Sequence, residues 1–460
     1  MFNEIINNAK KVHFVGIGGV GMSSLAQYLL SKGYTITGSD VEENSYVEKL
    51  KKQGVKVYLG HSLSNIEEDV DLVVVSSAVK NDNIELIQAD KLNIPTIKRY
   101  QLLAHLVNNS NSIAVAGSHG KTTTTSLSAS LLKNANLDPT AIIGGKLRNI
   151  NNNVIIGKCN YLIVEADESD GGFLLLNPKI GLLTNIDNDH LGFYGNFENE
   201  KVAFYDFMDN SEKLIINIDD PIIKQWKNLS KRQNLLTYSI KSKKADVYAY
   251  DIQTNAAYSI FSIKTPTKKI EQIKLKIIGT HNISNALAVV CLAEILEIGE
   301  DIIRKTLSEF EGVDRRFTYV GNYRNLKVYD DYAHHPTEIR ETLKAAKLIS
   351  KNIYAVFQPH RFSRTAYLMD EFAGSFKDAK RVFVLDIFPA SESPIDGIDS
   401  QILAQKVNEI SANAVYINNE DMLKKHLDQI EEDGVVVALG AGSVSRIIRK
   451  ITNDYKNITT

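Results

Sequence analysis

The sequence predicts an α/β protein of three domains: a Rossmann-like N-terminal domain, a P-loop-type central domain and a Rossmann-like C-terminal domain. Short β-branched runs alternate with helix-length segments along all 460 residues, the pattern of parallel strands joined by crossover helices. Two separate strand–glycine loop–helix junctions stand at Gly16 and Gly117. The length is that of about three domains of ~150 residues each. Hydrophobic residues make up 43 %, enough for large cores. The net charge is −2 with cations spread along the chain, so nothing argues for nucleic acid or an acidic membrane as partner. Two cysteines, Cys159 and Cys291, exclude a disulfide framework and fit a reducing compartment. The opening MFNEIINNAKKVHF lacks an apolar signal core, and no window approaches ~18 uninterrupted apolar residues. A soluble, cytoplasmic chain without membrane insertion is expected.

The first domain, 1–108, has strands at VHFVG, TITGSD, VKVYLG and DLVVVSSA, and NNSNS (Asn108 to Ser112) reads as a linker. The second, 109–313, opens with IAVAG and includes YLIVEADE and IGLLTNID. Its later part, ADVYAYDIQTNAAYSIFSIKTP, alternates apolar and polar residues and predicts an antiparallel excursion. The third, 314–460, has strands at LKVYDD, IYAVFQ, RVFVLDIF and GVVVALGAGS. The Asn-rich RNINNN reads as a turn.

The first glycine loop is Gly16-x-Gly18-x-x-Gly21, after a strand and before a helix, with Ser39 and Asp40 closing the next strand. Glycines let the backbone approach a pyrophosphate, the helix N-terminus supplies N–H donors, and the acid can accept from a ribose hydroxyl. This describes pyrophosphate plus ribose, so the motif alone does not separate NAD from UDP; a glycine turn that only packs helix on strand is the alternative. The second loop, GSHGKTT, is Gly117-x-x-Gly120-Lys121-Thr122, and Val115 occupies the place of the P-loop's first glycine. Consecutive N–H groups from Ser118 to Thr122 can still form a nest, Lys121 can meet the terminal phosphates and Thr122 can offer a hydroxyl to Mg²⁺. The alternative is a turn with a solvated lysine. Downstream acids weigh against it: YLIVEADESDGG ends a strand with Glu165, Asp167, Glu168 and Asp170, and TNIDNDH ends the next with Asn185, Asp187, Asp189 and His190. Ligands gather at the carboxyl ends of such strands, and one or two carboxylates suffice for Mg²⁺. Several of these acids are also expected as caps and solvated loop residues.

GIGGVGMS, GSHGKTT, EADES, TNIDNDHLG, GTHNISN, GVDRRF, DDYAHHPTEI and FQPHRFSRT stand in the order found in the Mur ligases, which the chain resembles over nearly its whole length. The resemblance implies an ATP-dependent ligase of peptidoglycan (cell wall) precursor synthesis. The GIGGVGMS start with DDYAHHPTE and FQPHR is most similar to the branch that joins L-alanine to the carboxylate of UDP-N-acetylmuramate via an acyl phosphate. It implies that Gly16, Gly18, Gly19, Val20, Gly21, Ser39 and Asp40 hold the UDP-substrate. Gly117, Ser118, His119, Gly120, Lys121, Thr122 and Thr123 would hold the ATP phosphates, with His281, Asn282, Asn285, Arg315, Asp330 and Asp331 also on the nucleotide. Thr122 and Glu165 would bind Mg²⁺ and His190 would help bind a second ion; Arg316 would reach the γ-phosphate, completing a catalytic set of Lys121, Glu165, His190 and Arg316. Tyr332, His334, His335, His360, Arg361 and Arg364 would shape the amino-acid pocket, where arginine suits a carboxylate. For His334 and His335, a turn before Pro336 with one packed imidazole is the alternative. A monomer or weak homodimer is expected.

The chain departs from the family pattern at Gln101, Ser391 and Ser443, and at NIEL, where a proline is usual. Phe204 stands where many relatives carry a carbamylated lysine, so none is expected. Rival readings are an NAD-dependent oxidoreductase, which leaves Lys121, Glu165 and His190 unexplained, a non-catalytic nucleotide-binding regulator, and a family member that attaches a preformed peptide, glycine or serine.

Overall fold

A computed structural model describes residues 2–148 and 152–459. Its strands are β1 (Lys11–Val15), β2 (Thr35–Asp40), β3 (Lys56–Leu59), β4 (Leu72–Val75), β5 (Thr96–Lys98), β6 (Asn111–Ala116), β7 (Thr140–Leu147), β8 (Asn152–Ile155), β9 (Tyr161–Glu165), β10 (Ile180–Leu183), β11 (Lys213–Asn217), β12 (Leu235–Ser239), β13 (Val247–Thr254), β14 (Ser259–Lys264), β15 (Lys269–Leu275), β16 (Thr318–Tyr323), β17 (Leu326–Asp331), β18 (Ile353–Phe357), β19 (Arg381–Leu385), β20 (Asn413–Ile417) and β21 (Gly434–Leu439). They form three sheets. By compactness the chain divides into two units, 1–248 with 264–269 and 285–306, and 249–263 with 270–284 and 307–460.

In the first unit, β1–β5 form a parallel sheet in the order β3-β2-β1-β4-β5. The order reverses between β1 and β4, where β1 feeds the first glycine loop; such a reversal leaves a crevice at the strands' carboxyl ends. Two of the helices between these strands start on side-chain caps: Asn44 accepts from the N–H groups of Tyr46 and Val47, and Asn83 from that of Glu85. The predicted linker is shorter than expected, because the helix Arg99–Asn108 runs almost into β6.

The second sheet has the order β15-β14-β13-β12-β11-β10-β6-β9-β7-β8. β6 lies between β9 and β10 and is parallel to both. The expected excursion is β13–β15: neighbours joined by the tight turns Asn255–Tyr258 and Thr265–Lys268, which only antiparallel strands permit. RNINNN is a turn only in part. Asn149 to Asn151 lie outside the described residues, whereas Asn152 and Asn153 open β8, and the buried Asn153 amide donates to the Val20 carbonyl and Ser24 Oγ. That tie joins β8 to the helix behind the first glycine loop. One apolar cluster runs through this unit from Phe14 and Leu25 to Phe204 and Phe207. Phe204 is fully buried, packed edge-on against Phe173.

In the second unit, the third sheet runs β16-β17-β21-β18-β19-β20, parallel except for the edge strand β16. Two apolar clusters cover its faces. Among the described residues, no helix is long and apolar enough to cross a membrane.

Candidate active site

β6 ends in a tight loop, Gly117 to Gly120, that passes directly into the helix Lys121–Asn134. Gly117 (φ +124°) and Gly120 (φ +84°) both sit where side chains are strained. Space also demands glycine: a Cβ on Gly117 would lie 2.1 Å from Thr184 Oγ1, and one on Gly120 2.7 Å from Asn285 Oδ1. The segment after β10 clamps the loop. Thr184 Oγ1 and Asn185 Nδ2 donate to the His119 carbonyl at 2.6 and 2.9 Å, and Asn185 accepts from the N–H groups of Ser118 and His119. Ser118 Oγ accepts from the Asp187 N–H and donates to the Asp187 carbonyl, while His119 Nε2 and Asp187 Oδ2 stand 2.9 Å apart.

This corrects the expected nest. The N–H groups of Ser118 and His119 bond to Asn185, so the donors left for an anion are those from Gly120 into the helix's first turn, Lys121 to Thr123, which have no partner within the helix. Asp187, one of the strand-end acids for which a cap or loop role was the alternative, is a brace for the loop.

Behind the loop, Lys121, Thr122, Glu165, Glu168 and His190 converge. Thr122 Oγ1 donates to Glu165 Oε2 at 3.2 Å, and Glu165 Oε1 accepts from the Gly144 N–H at 2.6 Å. Lys121 Nζ donates to Gly117 O (2.6 Å), Ser118 O (3.2 Å) and Glu168 Oε1 (2.7 Å), which uses its three donors. His190 Nε2 lies 3.4 Å from the same Glu168 oxygen and 3.7 Å from Asp189. Glu168 is fully buried, and its Oε2 has no hydrogen-bond partner among the described residues. Burial opposes charge on Lys121 and His190, but the carboxylates outweigh it and raise the pKa of both, chiefly Glu168 for Lys121 and Glu168 with Asp189 for His190. Burial pushes the neighbouring Glu200 up to about 7. Glu168 is therefore no solvated loop acid. It is the hub of the cluster, and its signal in the sequence was only its place in EADES. Arg99, which no motif singled out, is a second such residue: its guanidinium pairs with Asp170 (3.2 Å) and Asp167 (3.7 Å), and a Cβ on Gly21 would lie 3.2 Å from it.

At the first loop, Gly16 (φ +82°) and Ile17 donate their N–H groups to the Ser39 carbonyl. Gly18 N–H donates to Asp40 Oδ2 at 2.8 Å, and a Cβ there would lie 2.9 Å from that oxygen. Asp40 thus props the loop, with Oδ1 accepting from the Glu42 N–H. Gly19 caps the helix Val20–Ser31, which Gly21 enters.

The second unit gathers another set. The guanidinium groups of Arg315 and Arg316 lie over the Tyr332 ring at 4.8 and 5.2 Å, and Arg316 pairs with Glu338 at 3.5 Å. Asp331 accepts from the N–H groups of Phe317 and Ala333, and burial raises its pKa to about 6. Asp330 turns inward: it is fully buried and accepts from Ser445 and Arg449. His334 lies beside Tyr332 and His360, whose ring stacks on Phe388. His335 is the packed imidazole of the pair; it is buried and caps the helix Pro336–Lys347 through the Thr337 N–H. Arg361 is exposed, in a left-handed conformation (φ +73°), and Arg364 is half-buried. His281 stands 4.0 Å from Glu341, and Asn282 bonds back to the Ile278 carbonyl. Asn285, by contrast, abuts Gly120.

The donors beside the phosphate loop suit a hard divalent cation: Thr122 and Glu165 offer oxygens 3.2 Å apart at a helix N-terminus, and Glu168, which holds the adjacent Lys121, keeps a buried oxygen without a hydrogen-bond partner among the described residues. A helix N-terminus, a lysine and oxygen donors at one strand edge are the equipment of phosphoryl transfer. The sequence comparisons define the class. The Mur ligase family catalytic domain matches residues 11–111, the Mur ligase middle domain 115–293, and the Mur ligase glutamate ligase domain 315–442. The chain belongs to the Mur ligase family of ATP-dependent ligases. It is 43 % identical over 443 residues to the UDP-N-acetylmuramate–L-alanine ligase of Aquifex aeolicus, covering 95 % of this chain and 96 % of the relative. It is 42 % identical over 452 residues to the enzyme of the same name from Hydrogenobaculum sp., covering 97 % and 98 %. The crystal structure of UDP-N-acetylmuramate–alanine ligase from Thermotoga maritima matches with a TM-score of 0.82 at 29 % identity, over 97 % of this chain and 99 % of that one.

Removing one partner of a buried ion pair strands the other, so Glu168→Gln should lose about 3 kcal/mol of stability or more. A denaturation cycle with Lys121→Met should return a coupling of at least about 1 kcal/mol. Burial, then the charges of His334, Arg364 and Arg361, lower the His360 pKa to about 3. A group that binds its proton only in the unfolded chain makes stability rise with pH between about 3 and 6.5. Lowering the pH from 7 to 5 should therefore cost the wild type more stability than it costs His360→Gln, read by urea unfolding at both pH values.

Proposed function

We propose that this chain joins L-alanine to the carboxylate of UDP-N-acetylmuramate, at the expense of ATP and with Mg²⁺, in the cytoplasmic synthesis of peptidoglycan precursors. The convergence of Lys121, Thr122, Glu165, Glu168 and His190 at the N-terminus of one helix carries this reading. Relatives of that name at about 40 % identity over nearly the full length support the substrates. The proposed division of labour gives the UDP-sugar to residues 1–108, ATP to 109–313 and the amino acid to 314–460.

The N–H groups of Lys121 to Thr123 bind phosphate oxygens at the positive end of the helix. Lys121 exchanges at least one of its three present acceptors for a phosphate oxygen and neutralises the charge that develops as the γ-phosphoryl group moves to the muramoyl carboxylate. Glu168 holds that ammonium in reach while it does so. Thr122 and Glu165 would hold one Mg²⁺ and His190 would help hold a second; bound there, the metal would supply charge neutralisation at the phosphoryl group. The amine of L-alanine attacks the acyl carbon of the resulting acyl phosphate; the tetrahedral intermediate collapses to the amide as the C–O bond to phosphate breaks, inorganic phosphate leaves and the amine gives up a proton. Arg361 and Arg364 bind the carboxylate of the amino acid, and Arg316 adds positive charge for the γ-phosphate.

Phosphate release tests this. With ATP, Mg²⁺ and UDP-N-acetylmuramate supplied, L-alanine should release phosphate faster than glycine, L-serine or a preformed peptide. Lys121→Ala should abolish release while UDP-N-acetylmuramate still binds by calorimetry. Turnover that survives Lys121→Ala would sink the assignment of the loop, and a stronger response to another acceptor would sink that of alanine.

A further inference from the structure

The N-terminal domain contains a buried carboxylate that the proposed reaction leaves unused. Glu85 lies in the first turn of the helix Ile84–Lys91, yet its side chain points inward and is fully buried. Four donors converge on it: Ser39 Oγ at 2.5 Å, Asn65 Nδ2 at 2.5 Å, His61 Nδ1 at 3.1 Å and, more distantly, the Ser62 N–H at 3.5 Å. A carboxylate offers about four acceptor sites, so this set saturates it. Burial alone favours protonation, but His13, Ser39 and Asn65 hold its pKa down at about 2. An ionised, saturated carboxylate in a core is costly unless its donors are held in place.

The outermost member of the network is His61, whose side chain keeps 21 % of its surface exposed. It follows β3 at the carboxyl edge of the first sheet. Its neighbour Ser39 is the last residue but one of β2, and the Ser39 carbonyl is the acceptor for the first loop's Gly16 and Ile17. Because Glu85 accepts from Nδ1, the proton of the neutral ring sits on Nδ1 and Nε2 carries a lone pair. Asp40, the acid that the dinucleotide motif assigns to the ribose, instead accepts from the N–H groups of Gly18 and Glu42. The edge thus holds a preoriented acceptor beside the glycine loop that no motif assigned.

We infer that His61 is a further ligand of the UDP-substrate, its Nε2 accepting a hydrogen bond from the uridine half, and that Glu85 is the positioning residue that fixes its tautomer and orientation. This rests on the reading of the first loop as the UDP site. Uridine offers donors of the right kind in its ribose hydroxyls and its uracil N–H; the diphosphate offers none.

Binding of UDP and of inorganic pyrophosphate to the full-length chain, measured by calorimetry, tests the inference. His61→Ala should weaken UDP about tenfold, the worth of one such hydrogen bond, and leave pyrophosphate unchanged. His61→Gln, whose amide oxygen can stand near the Nε2 position, should recover part of the loss. Glu85→Gln should weaken UDP similarly, and combined with His61→Ala it should add little, whereas a merely structural effect would add in full. Melting curves check that each variant folds, and His61→Ala carries the test if Glu85→Gln does not. In steady state the loss should fall on the KM for UDP-N-acetylmuramate, with the KM for ATP unmoved. UDP affinity of His61→Ala within twofold of wild type overturns the inference, as does an equal loss for pyrophosphate, which would place His61 on the diphosphate. A wild type that turns over substrate but binds UDP independently of His61 leaves the function standing and removes only this inference. A wild type that binds no UDP removes both.

Discussion

The parallel pairing of β6 with β9 on one side and β10 on the other is the constraint from which the site arises. Val115 is in register with Glu165, and Ala116 with Leu183. All three strands therefore stop at one level, and each delivers its next segment to the same edge: a helix N-terminus from β6, Glu165 and Glu168 from β9, and the Thr184–His190 segment from β10. The strands are almost entirely buried, so a slip of register would expose apolar side chains as well as scatter the cluster. Packing energy thus holds polar groups in positions that their mutual attraction alone would not fix.

The two glycine loops of the first unit share a further device, a buried carboxylate set behind the edge. Glu168 holds Lys121 and lies beside His190; Glu85 holds Ser39, Asn65 and His61. In a low-dielectric interior each such carboxylate is costly alone and strongly attractive to its donors, so a whole set of side chains is tied to one point. The same principle explains why these acids stand on short loops or helix starts rather than in strand interiors, since there they can turn inward while the backbone continues outside. Arg99 does the complementary work with a cation, pairing with Asp167 and Asp170 beside Gly21 of the first loop.

Much of this was legible because it depends on local pattern. Buried parallel strands read as β-branched runs, and TITGSD and LKVYDD are strands at the bounds their alternation and flanks suggest. Short edge and hairpin strands such as β5, β8, β16 and β20 carry no such signal, since their pairing comes from partners distant in sequence. The glycines of both loops were legible because positive φ and close approach admit little else. The direction in which an acid faces was not. Asp40, Asp187 and Asp330 look like presented carboxylates in the sequence, yet each is bound to protein groups. Glu168 and Glu85 look like surface acids and are buried. Spacing places a residue at a strand end; only the packing around it decides whether it turns towards a ligand or the core.

The shortened phosphate loop illustrates how packing replaces a motif residue. A longer P-loop uses an extra glycine to leave the strand early and wrap the phosphate with backbone. Here position 115 remains strand: the Val115 carbonyl accepts from the Ala166 N–H and the Ala116 carbonyl from the Thr184 N–H, so the ladder persists up to the loop. Valine is the better residue there, because a buried central strand rewards a β-branched side chain and penalises glycine. The turn must then be made in four residues, Gly117 to Gly120, and so tight a turn cannot also offer all its N–H groups outward. Asn185 accepts two of them, and Thr184 and Asn185 donate to the His119 carbonyl. What the loop gives up in backbone donors it gains in rigidity, and on the proposed reading anion binding falls to the start of the helix and the Lys121 ammonium. On this account the missing glycine and the TNID segment after β10 are one feature, since a loop of this length keeps its shape only with that clamp beside it.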